Sequence, residues 1–396
     1  MNSREVVILS AVRTPVGKYG GALKDIPPTV LGAKVVSEAV KRAQIDPESV
    51  NQLVFGNVIH TEAKDMYFSR MVSINAGLPI ETPALTVNRL CGSGLQAIVS
   101  AAQTIWLGDA QAAVGGGAES MSRGGYWLPG LRWGQRMNNA TVIDAMVGAL
   151  TDPFDEVHMG ITAENVAQKW NISREDQDKL AFEGHRRATF AVKNCMFKEQ
   201  IVPIEIKSKK ETIVVEKDEQ PRSDVTIESL GALKPAFDKN GTVTAGNASG
   251  INDGAAAVVL MEAAAAEQQG LKPLARLLGY QVVGVDPKYM GIGPVPAIRQ
   301  LLPKLGLRKE DISVWEINEA FAAQALAVVR DLGLSADQVN PNGSGIALGH
   351  PIGATGAILT VKALYELKRI HGRYAVVSMC IGGGQGIAAV LEGFNN

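Results

Sequence analysis

The sequence predicts an α/β protein with a duplicated core. Stretches with strand and helix patterns alternate along the chain and are separated by glycines, which is typical of buried sheets covered by helices. The second half resembles the first, because in each a strand runs into a helix with a functional-looking residue at the junction, Cys91 or Asn318. In each half a later strand also ends in a glycine triplet, at 115–117 and 382–384. These two features together predict an internal duplication.

The individual elements follow from apolar periodicity and turn residues. The first half is predicted to contain strands at 6–10, 52–58, 84–88 and 112–115, and helices at 30–43, at about 69–76 and after Cys91. The second half is predicted to contain strands at 275–280, 312–317 and 374–379, and helices at 295–305 and after Asn318.

The region between the halves differs in composition and is predicted to be an insertion that covers a site, with a solvated hairpin at 207–222. The run at 247–260 is predicted to rejoin the sheet of the first half. At 396 residues the chain is too long for one ordinary core. The predicted domains are a first half at 1–121 and 247–271, an insertion at 122–246, and a second half at 272–396.

Composition argues against several classes of protein. The net charge of −1 and the lack of a basic stripe argue against nucleic-acid binding. No apolar run approaches the ~18 residues of a membrane helix, and the first residues lead directly into a strand, so neither a membrane anchor nor a leader peptide is expected. Three cysteines are too few for a disulfide framework and indicate thiols in a reducing cytoplasm. Zinc needs more ligands at closer spacing, so no metal site is predicted.

Cys91 is the most informative single residue. It opens the turn CGSG before a predicted helix, where free backbone N–H groups and the helix dipole lower a cysteine pKa from about 8.5 to between ~3.5 and ~7.5. Gly92 and Gly94 leave room for a substrate carbonyl to approach the backbone. The pattern indicates a nucleophile. The alternative is a small buried residue packed under a glycine turn, the more common role of a lone cysteine.

Three further motifs supply partners for this thiol. His350 lies in the loop GHPIGATG, Cys380 in CIGGGQG, and Asn318 between a strand and a helix in NEAF. Singly, each has an ordinary explanation as a loop histidine, a core cysteine or a helix cap. Together they fit acyl transfer, which needs a nucleophile, a separate base and places for developing negative charge. The glycine triplets do not match a dinucleotide fingerprint and are predicted to aim N–H groups at an oxyanion near the cysteines.

These motifs, taken in order along essentially the whole chain, resemble the thiolases. The resemblance implies two βαβαβαββ halves packed as a five-layer αβαβα core, with the insertion as a loop domain that binds coenzyme A and makes oligomer contacts. It also implies a homodimer or homotetramer. Acetyl-CoA, acetoacetyl-CoA and CoA would be substrates, with no cofactor.

The resemblance also assigns roles. Cys91 resembles the residue that carries the acyl group as a thioester, and His350 resembles its base. Cys380 resembles the acid/base that moves a proton between the α-carbon of the second substrate and the thiol. Asn318, through a water, and His350 resemble one oxyanion hole, and the backbone N–H groups of Cys91 and Gly382 resemble the other.

For coenzyme A the resemblance places Arg222 toward the nucleotide, although an exposed arginine is the ordinary explanation of that residue. The residues implied to contact coenzyme A or the acyl chain are Leu150, His158, Met159, Arg222, Ser229, Phe237, Ala245, Ser249 and Phe321.

The branch of the family is a separate question. His158, Met159 and Phe237 resemble the short-chain biosynthetic branch, which joins two acetyl-CoA into acetoacetyl-CoA. The VNRL sequence before Cys91 also resembles degradative 3-ketoacyl-CoA thiolases of fatty-acid β-oxidation; we favour the short-chain branch. Ser344 stands where many members carry a second glycine, which leaves the local turn geometry open but does not affect the chemistry.

Two other kinds of protein were weighed against this interpretation. A ketosynthase-like condensing enzyme is disfavoured because that class has a histidine or asparagine where this chain has Cys380. A non-catalytic acyl-CoA-binding module is disfavoured because Cys91, His350 and Cys380 are all retained.

Overall fold

The computed structural model describes residues 4–207 and 211–394. The strands are β1 (Val6–Arg13), β2 (Gly17–Lys18), β3 (Gln52–Gly56), β4 (Ala84–Val87), β5 (Ala112–Ser120), β6 (Tyr126–Trp127), β7 (Ile143–Asp144), β8 (Ile204–Lys207), β9 (Thr212–Val215), β10 (Asn252–Glu262), β11 (Ala275–Gly284), β12 (Ile312–Ile317), β13 (Tyr374–Ile381) and β14 (Gln385–Gly393). The α-helices are α1 (Pro28–Ala43), α2 (Phe68–Asn75), α3 (Ser93–Leu107), α4 (Ala145–Ala149), α5 (Met159–Lys169), α6 (Arg174–Lys193), α7 (Ile227–Gly231), α8 (Ala263–Gln268), α9 (Pro294–Lys304), α10 (Ala322–Leu332), α11 (Gly345–Leu348) and α12 (Thr355–Ile370).

The two halves repeat one strand order. The first sheet runs β4–β3–β5–β10–β1 and the second runs β12–β13–β14–β11. In both, a parallel pair (β3 with β5, β12 with β13) is followed by antiparallel strands. The counterpart of β4 in the second half is reduced to one parallel bridge between Trp315 and Val339. The predicted duplication is confirmed, with the fifth strand of the second half reduced to this bridge.

The helices and sheets form five layers. Buried side chains of α3 and α12 pack against both sheets in one continuous core. Helix α1 covers the outer face of the first sheet, and α9 and α10 cover that of the second. The sheets meet edge to edge where β1 pairs with β11 at Val7 and Ile8. This is the predicted αβαβα arrangement, with α3 and α12 as its central layer.

The glycine triplets differ from the prediction. Residues 115–117 lie inside β5, whereas 382–384 follow β13. A Cβ on Gly116 would lie 2.3 Å from the Ala256 carbonyl oxygen, and one on Gly117 would lie 2.1 Å from that of Gly353. The first triplet therefore permits close packing within and against the sheet, and the prediction that it serves an oxyanion is wrong.

Strand order also corrects the predicted equivalence of Cys91 and Asn318. Asn318 follows β12, so its counterpart is Asn57, which follows β3. Cys91 follows β4 and precedes α3; the matching segment contains His350 and precedes α12.

Helix α12 and strand β14 were both missed by the sequence prediction, because the glycines around His350 and Gln385 were interpreted as loop.

The insertion is fastened to the core by a buried ion pair. Both Nη atoms of Arg13 donate to the carboxylate of Asp218, at 2.7 and 2.9 Å. Asp218 is only 8% exposed, so the predicted solvated hairpin is wrong at this residue. Strands β8 and β9 do pair as a hairpin, and its residues 208–210 lie outside the described residues. Strand β10 lies between β1 and β5, which confirms the predicted return to the first sheet; the predicted domain boundaries stay a prediction.

No helix in the described part of the chain has the length and apolar character needed to cross a membrane.

Candidate active site

A cavity of about 1120 Å³ is lined by both halves and the insertion. We call Cys91, His350, Cys380 and Gly382 its buried end, and Lys18, Arg222, Asp224 and Ser229 its exposed end. Other lining residues include Leu150, His158, Met159, Phe237, Ala245, Ser249 and Phe321. The catalytic and substrate-binding residues predicted from the sequence therefore all line this cavity, except Asn318, which contacts His350.

A tight turn between β4 and α3 presents Cys91. Leu90, just before it, has φ of 44°, a left-handed conformation that costs free energy for a branched side chain. The hydroxyl of Ser93 holds the turn, since it accepts from the Arg89 N–H at 2.8 Å and donates to the Leu90 carbonyl at 2.7 Å. A Cβ on Gly92 would lie 2.5 Å from Ile381 Cδ1, so the turn packs directly on the end of β13.

The Cys91 thiol is protonated at neutral pH. Burial raises its pKa to about 11, and nearby Glu119 adds to the rise. The backbone N–H groups of Gly382 and of Cys91 itself oppose the rise but do not cancel it. The predicted lowering of this pKa is wrong, because loss of water around the sulfur outweighs the favourable N–H groups. Such a thiol needs a base at the moment of reaction.

His350 can supply that base. Burial lowers its pKa to about 4, so the imidazole is neutral at pH 7. Its backbone N–H donates to Asn252 Oδ1 at 2.9 Å, and its ring contacts Thr355 Oγ1 through Nδ1 at 2.7 Å. Asn318 Nδ2 lies 3.3 Å from His350 Nε2, and Asn318 Oδ1 is buried with no hydrogen-bond partner among the described residues. Nδ1 of this imidazole therefore faces Thr355, and Nε2 faces Asn318.

Cys380 lies near the end of β13 and is 1% exposed. Burial, together with the neighbouring charge of Cys91, raises the pKa of its thiol. Two residues on, a Cβ added to Gly382 would lie 3.2 Å from Leu90 Cδ1, so the strand end abuts the Cys91 turn. The two thiols thus face the same end of the cavity, and both hold their protons at rest.

Glycine contacts between α3 and α12 bring the two halves of the site together. A Cβ on Gly94 would lie 2.8 Å from the Ala357 nitrogen, and one on Gly356 would lie 2.3 Å from the Leu95 nitrogen. Because neither glycine carries a side chain, the two helix starts pack backbone to backbone. This close packing lets Cys91, from the first half, and His350, from the second half, line the same cavity.

Glu119 is a site-supporting residue that the sequence analysis missed. Its carboxylate accepts N–H groups of Val58, Ile59 and Gly353 at 2.8–3.1 Å, and burial raises its pKa to about 8. It thereby ties β5 to the loop that follows His350. The available signal was a lone carboxylate in the apolar run of β5.

Aromatic rings form the wall between the two ends of the cavity. His158 stacks on Phe237 at 4.6 Å between ring centroids, and Phe237 meets Phe321 edge-on at 6.2 Å. Met159 packs in the same cluster as Phe321 and Cys380. His158 Nδ1 accepts the Gly160 N–H at 3.0 Å, so Nε2 carries the proton of the neutral ring and can donate to a ligand.

The exposed end of the cavity carries Arg222 and Ser229. The Arg222 N–H donates to His185 Nδ1 at 3.2 Å, while its guanidinium makes no ion pair among the described residues. The Ser229 hydroxyl donates to the Thr226 carbonyl at 2.8 Å at the start of α7. Both residues are exposed, which suits contact with a polar part of a ligand.

Ser344 fits its turn without strain. Its φ of −145° is open to any L-residue. The hydroxyl donates to the Ile317 carbonyl at 3.1 Å, one residue before Asn318. A serine is therefore accommodated in this turn, and its hydroxyl adds a bond behind the site.

Within residues 4–207 and 211–394, no group of three or more His, Cys, Asp or Glu side chains is placed to hold a metal ion.

Comparison with known proteins gives one consistent family. Models described as the N-terminal and C-terminal domains of thiolase match residues 6–264 and 271–393. A beta-ketothiolase, BktB, of Cupriavidus necator is 61% identical over 98% of this chain and 99% of its own length. An acetyl-CoA acetyltransferase of Syntrophomonas wolfei is 48% identical over 98% of this chain and 99% of its own.

Solved structures agree with the sequence relatives. The acetyl-CoA acetyltransferase of Bacillus anthracis superposes with a TM-score of 0.97 at 48% identity, covering 99% of both chains. Human mitochondrial 3-ketoacyl-CoA thiolase in complex with CoA superposes with a TM-score of 0.95 at 44% identity, covering 99% of this chain and 98% of that one.

Proposed function

The chain belongs to the thiolase family, and we propose that it catalyses the reversible condensation of two acetyl-CoA into acetoacetyl-CoA and CoA through an acyl-Cys91 intermediate. One observation carries this proposal: Cys91, His350, Cys380 and Gly382 converge at the buried end of a cavity large enough for a coenzyme A thioester. The enzyme is an acyltransferase.

In the first half-reaction the Cys91 sulfur attacks the acetyl carbonyl. The S–H proton passes to His350 Nε2 as the new S–C bond forms, which avoids a free thiolate in a buried site. The C–S bond to coenzyme A then breaks, and the leaving sulfur takes the proton of the Cys380 thiol, so that CoA departs as a thiol and Cys380 is left as a thiolate. The N–H groups of Cys91 and Gly382, which already act on the Cys91 sulfur, are placed to stabilise the carbonyl oxygen as it gains charge.

In the second half-reaction Cys380 removes a proton from the methyl carbon of a second acetyl-CoA. The resulting enolate oxygen would be held by His350 and by a water bound to Asn318, whose Oδ1 lacks a partner among the described residues. The enolate carbon attacks the acyl-Cys91 carbonyl, and the bond between that carbonyl carbon and the Cys91 sulfur breaks. His350 returns its proton to the Cys91 sulfur, and acetoacetyl-CoA forms. The raised pKa of Cys380 suits a strong base that is used only when substrate is bound.

The remaining cavity residues would bind coenzyme A and the acyl chain. Arg222 and Ser229 are exposed at one end and suit the nucleotide, while Leu150, Ala245 and Ser249 line the path to the thiol. Packing of Met159, Phe237 and Phe321 near Cys380 narrows the acyl end and supports a short-chain substrate.

We also infer that the chain forms a homodimer through β4. This strand ends the first sheet, and Leu85 on it is 50% exposed. Nearby apolar side chains are exposed as well, including Met66 at 75% and Ile80 at 72%. A second exposed apolar group in the insertion, around Trp127 and Trp133, suits contacts between dimers in a tetramer.

The three unpaired thiols suit a reducing cytoplasm.

A labelling experiment tests the chemistry. Incubation with [¹⁴C]acetyl-CoA, followed by peptide mass spectrometry, should place one acetyl group on Cys91. Cys91→Ser should lose both label and turnover, whereas Cys380→Ser should keep the label and lose most condensation and thiolysis. Label on Cys195 or Cys380, or equal loss of labelling and turnover in Cys380→Ser, would contradict the assigned roles.

Substrate length is tested by thiolysis rates. We expect acetoacetyl-CoA to have a higher kcat/KM than 3-ketodecanoyl-CoA, with modest activity toward six carbons, because a pocket wall discriminates by only ~1–3 kcal/mol per methylene. An equal or higher kcat/KM for ten carbons would instead assign the chain to the degradative 3-ketoacyl-CoA branch.

A further inference from the structure

Thr355, the first residue of α12, lies directly behind the proposed base. Its Oγ1 is 2.7 Å from His350 Nδ1 and 2.9 Å from the Pro351 carbonyl oxygen. Both side chains are almost fully buried, Thr355 at 2% and His350 at 5% exposure. The contact is therefore isolated from bulk water.

Counting protons fixes the direction of these bonds. The Asn318 amide nitrogen can only donate, and it lies 3.3 Å from His350 Nε2, so Nε2 is an acceptor. On the other side of the ring, the hydroxyl of Thr355 donates to the Pro351 carbonyl, which also accepts the backbone N–H groups of Ala354 and Thr355. The hydroxyl oxygen must then accept from His350, which places a proton on Nδ1. In a neutral imidazole the other nitrogen, Nε2, then carries the lone pair.

We propose that Thr355 is a positioning residue that selects the Nδ1–H tautomer of His350 and so keeps the lone pair on Nε2, the nitrogen that faces Asn318, as the acceptor for the proton of Cys91. The tautomer assignment stands on geometry alone; the catalytic consequence rests on the proposed thiolase reaction. The bond persists through the reaction, because Nδ1 carries a proton both in the neutral ring and in the imidazolium formed when Nε2 is protonated.

The other half of the molecule gives an independent parallel. Ser93 is the first residue of α3, as Thr355 is of α12. Its hydroxyl also donates back to a carbonyl, that of Leu90, and also accepts, from the Arg89 N–H. Both central helices thus begin with a hydroxyl that fixes the preceding turn. Only in the second half is the donor a titratable ring.

Thr355→Val removes the hydroxyl at nearly constant shape, and Thr355→Ser restores it. Thr360→Val is the matched control, since Thr360 is a buried threonine of the same helix whose hydroxyl donates to the Gly356 carbonyl at 2.8 Å and does not contact His350. All four full-length proteins, wild type included, would be compared for the rate of Cys91 acetylation by acetyl-CoA.

We expect Thr355→Val to slow acetylation ~10–100-fold with KM little changed, less than the ~10²–10⁴-fold worth of a general base because the imidazole remains. Thr355→Ser should recover to within a few-fold of wild type, and Thr360→Val should match it. Equal rates for Thr355→Val and Thr360→Val would overturn the proposal.

The tautomer is measured directly, without turnover. In protein labelled with ¹⁵N-histidine, long-range ¹H–¹⁵N spectra distinguish protonated from unprotonated ring nitrogens, and the His350 signals are identified by their loss in His350→Asn. We expect Nδ1–H in the wild type and a shift toward Nε2–H in Thr355→Val. An Nε2–H signal in the wild type would refute the assignment. Absence of Cys91 acetylation in the wild type would instead refute the proposed function and leave the tautomer result standing.

Discussion

The two halves of the molecule place an asparagine at the same position and use it differently. Asn57 directly follows β3 in the first half, and Asn318 directly follows β12 in the second. Asn57 Nδ2 donates to the Ala118 carbonyl at 3.0 Å and to Glu119 Oε1 at 3.1 Å. Asn318 Nδ2 instead faces the ring of His350. One side chain holds the fold together, and its counterpart faces the reacting groups.

The neighbouring strand explains the difference. By register, Gly56 pairs with Gly117 and Ile317 pairs with Ser378, so Glu119 in the first half corresponds to Cys380 in the second. The carboxylate of Glu119 accepts from the amide nitrogen of Asn57. A thiol at the equivalent place is a poor acceptor and leaves the second asparagine available. Whether the asparagine at this duplicated position has a structural or a chemical role therefore depends on the neighbouring residue, Glu119 in the first half and Cys380 in the second.

The largest expected effect comes from removing each of the two asparagine side chains in turn. Asn318→Ala should lower kcat roughly 10²–10³-fold, the usual cost of losing one oxyanion donor, with little change in thermal stability. Asn57→Ala should lower the melting temperature by several degrees, since it leaves buried acceptors unpaired, and should change kcat far less. Steady-state kinetics and differential scanning fluorimetry of both variants measure this; near-normal kcat in Asn318→Ala would reject its role.

A second test concerns the two residues that precede the central helices, Cys91 and His350. With the Cys91 pKa at about 11, the reactive thiolate is scarce at neutral pH and increases as pH rises. Alkylation of Cys91 by iodoacetamide in the free enzyme should accelerate about tenfold per pH unit, or ~100-fold from pH 7 to pH 9. Mass spectrometry of the Cys91 peptide follows the rate. A plateau near pH 7 would show a lowered pKa and restore the prediction made from the sequence.

The glycine contact between the halves is tested by adding one methyl group. Gly356→Ala places a Cβ against the Leu95 backbone and should destabilise the protein by about 1–3 kcal/mol. Gly125→Ala is the matched control, because nothing lies within 4 Å of a Cβ there. Thermal melts of both variants give the comparison. Equal melting temperatures would mean that the helix starts tolerate separation.

The smallest effect is expected in the insertion, which has no counterpart in the second half. Arg222→Ala should raise KM for acetyl-CoA by no more than ~5-fold with kcat unchanged, because an exposed charge contact is worth only ~0.2–1 kcal/mol. Arg132→Ala, an exposed arginine elsewhere in the insertion, serves as the control. A fall in kcat for Arg222→Ala would place this residue closer to the chemistry than the structure indicates.

Local sequence patterns predicted most of the fold. They also identified the site residues, because Cys91 and Cys380 lie where strands meet glycine turns, His350 lies in a glycine-rich loop and Asn318 follows a strand. They did not predict the pKa of Cys91, which depends on burial by residues distant in sequence. They paired Cys91 with Asn318, because the true counterpart of β4 has shrunk to one bridge at Val339 and gives no strand signal. Glu119 was missed because its partners come from two segments distant in sequence, at 57–59 and at Gly353.

That single bridge also limits how the molecule can assemble. The carbonyl oxygen of Val339 accepts from Arg187 Nη1 at 2.7 Å, so a side chain of the insertion already occupies this edge of the second sheet. At the β4 edge of the first sheet, Leu85 is 50% exposed and its carbonyl accepts from the small Ser69 hydroxyl. A body with one open edge can join a second copy about a twofold axis and then offers no further edge, whereas two open edges would propagate into a filament. The proposed pairing through β4 would therefore be self-limiting.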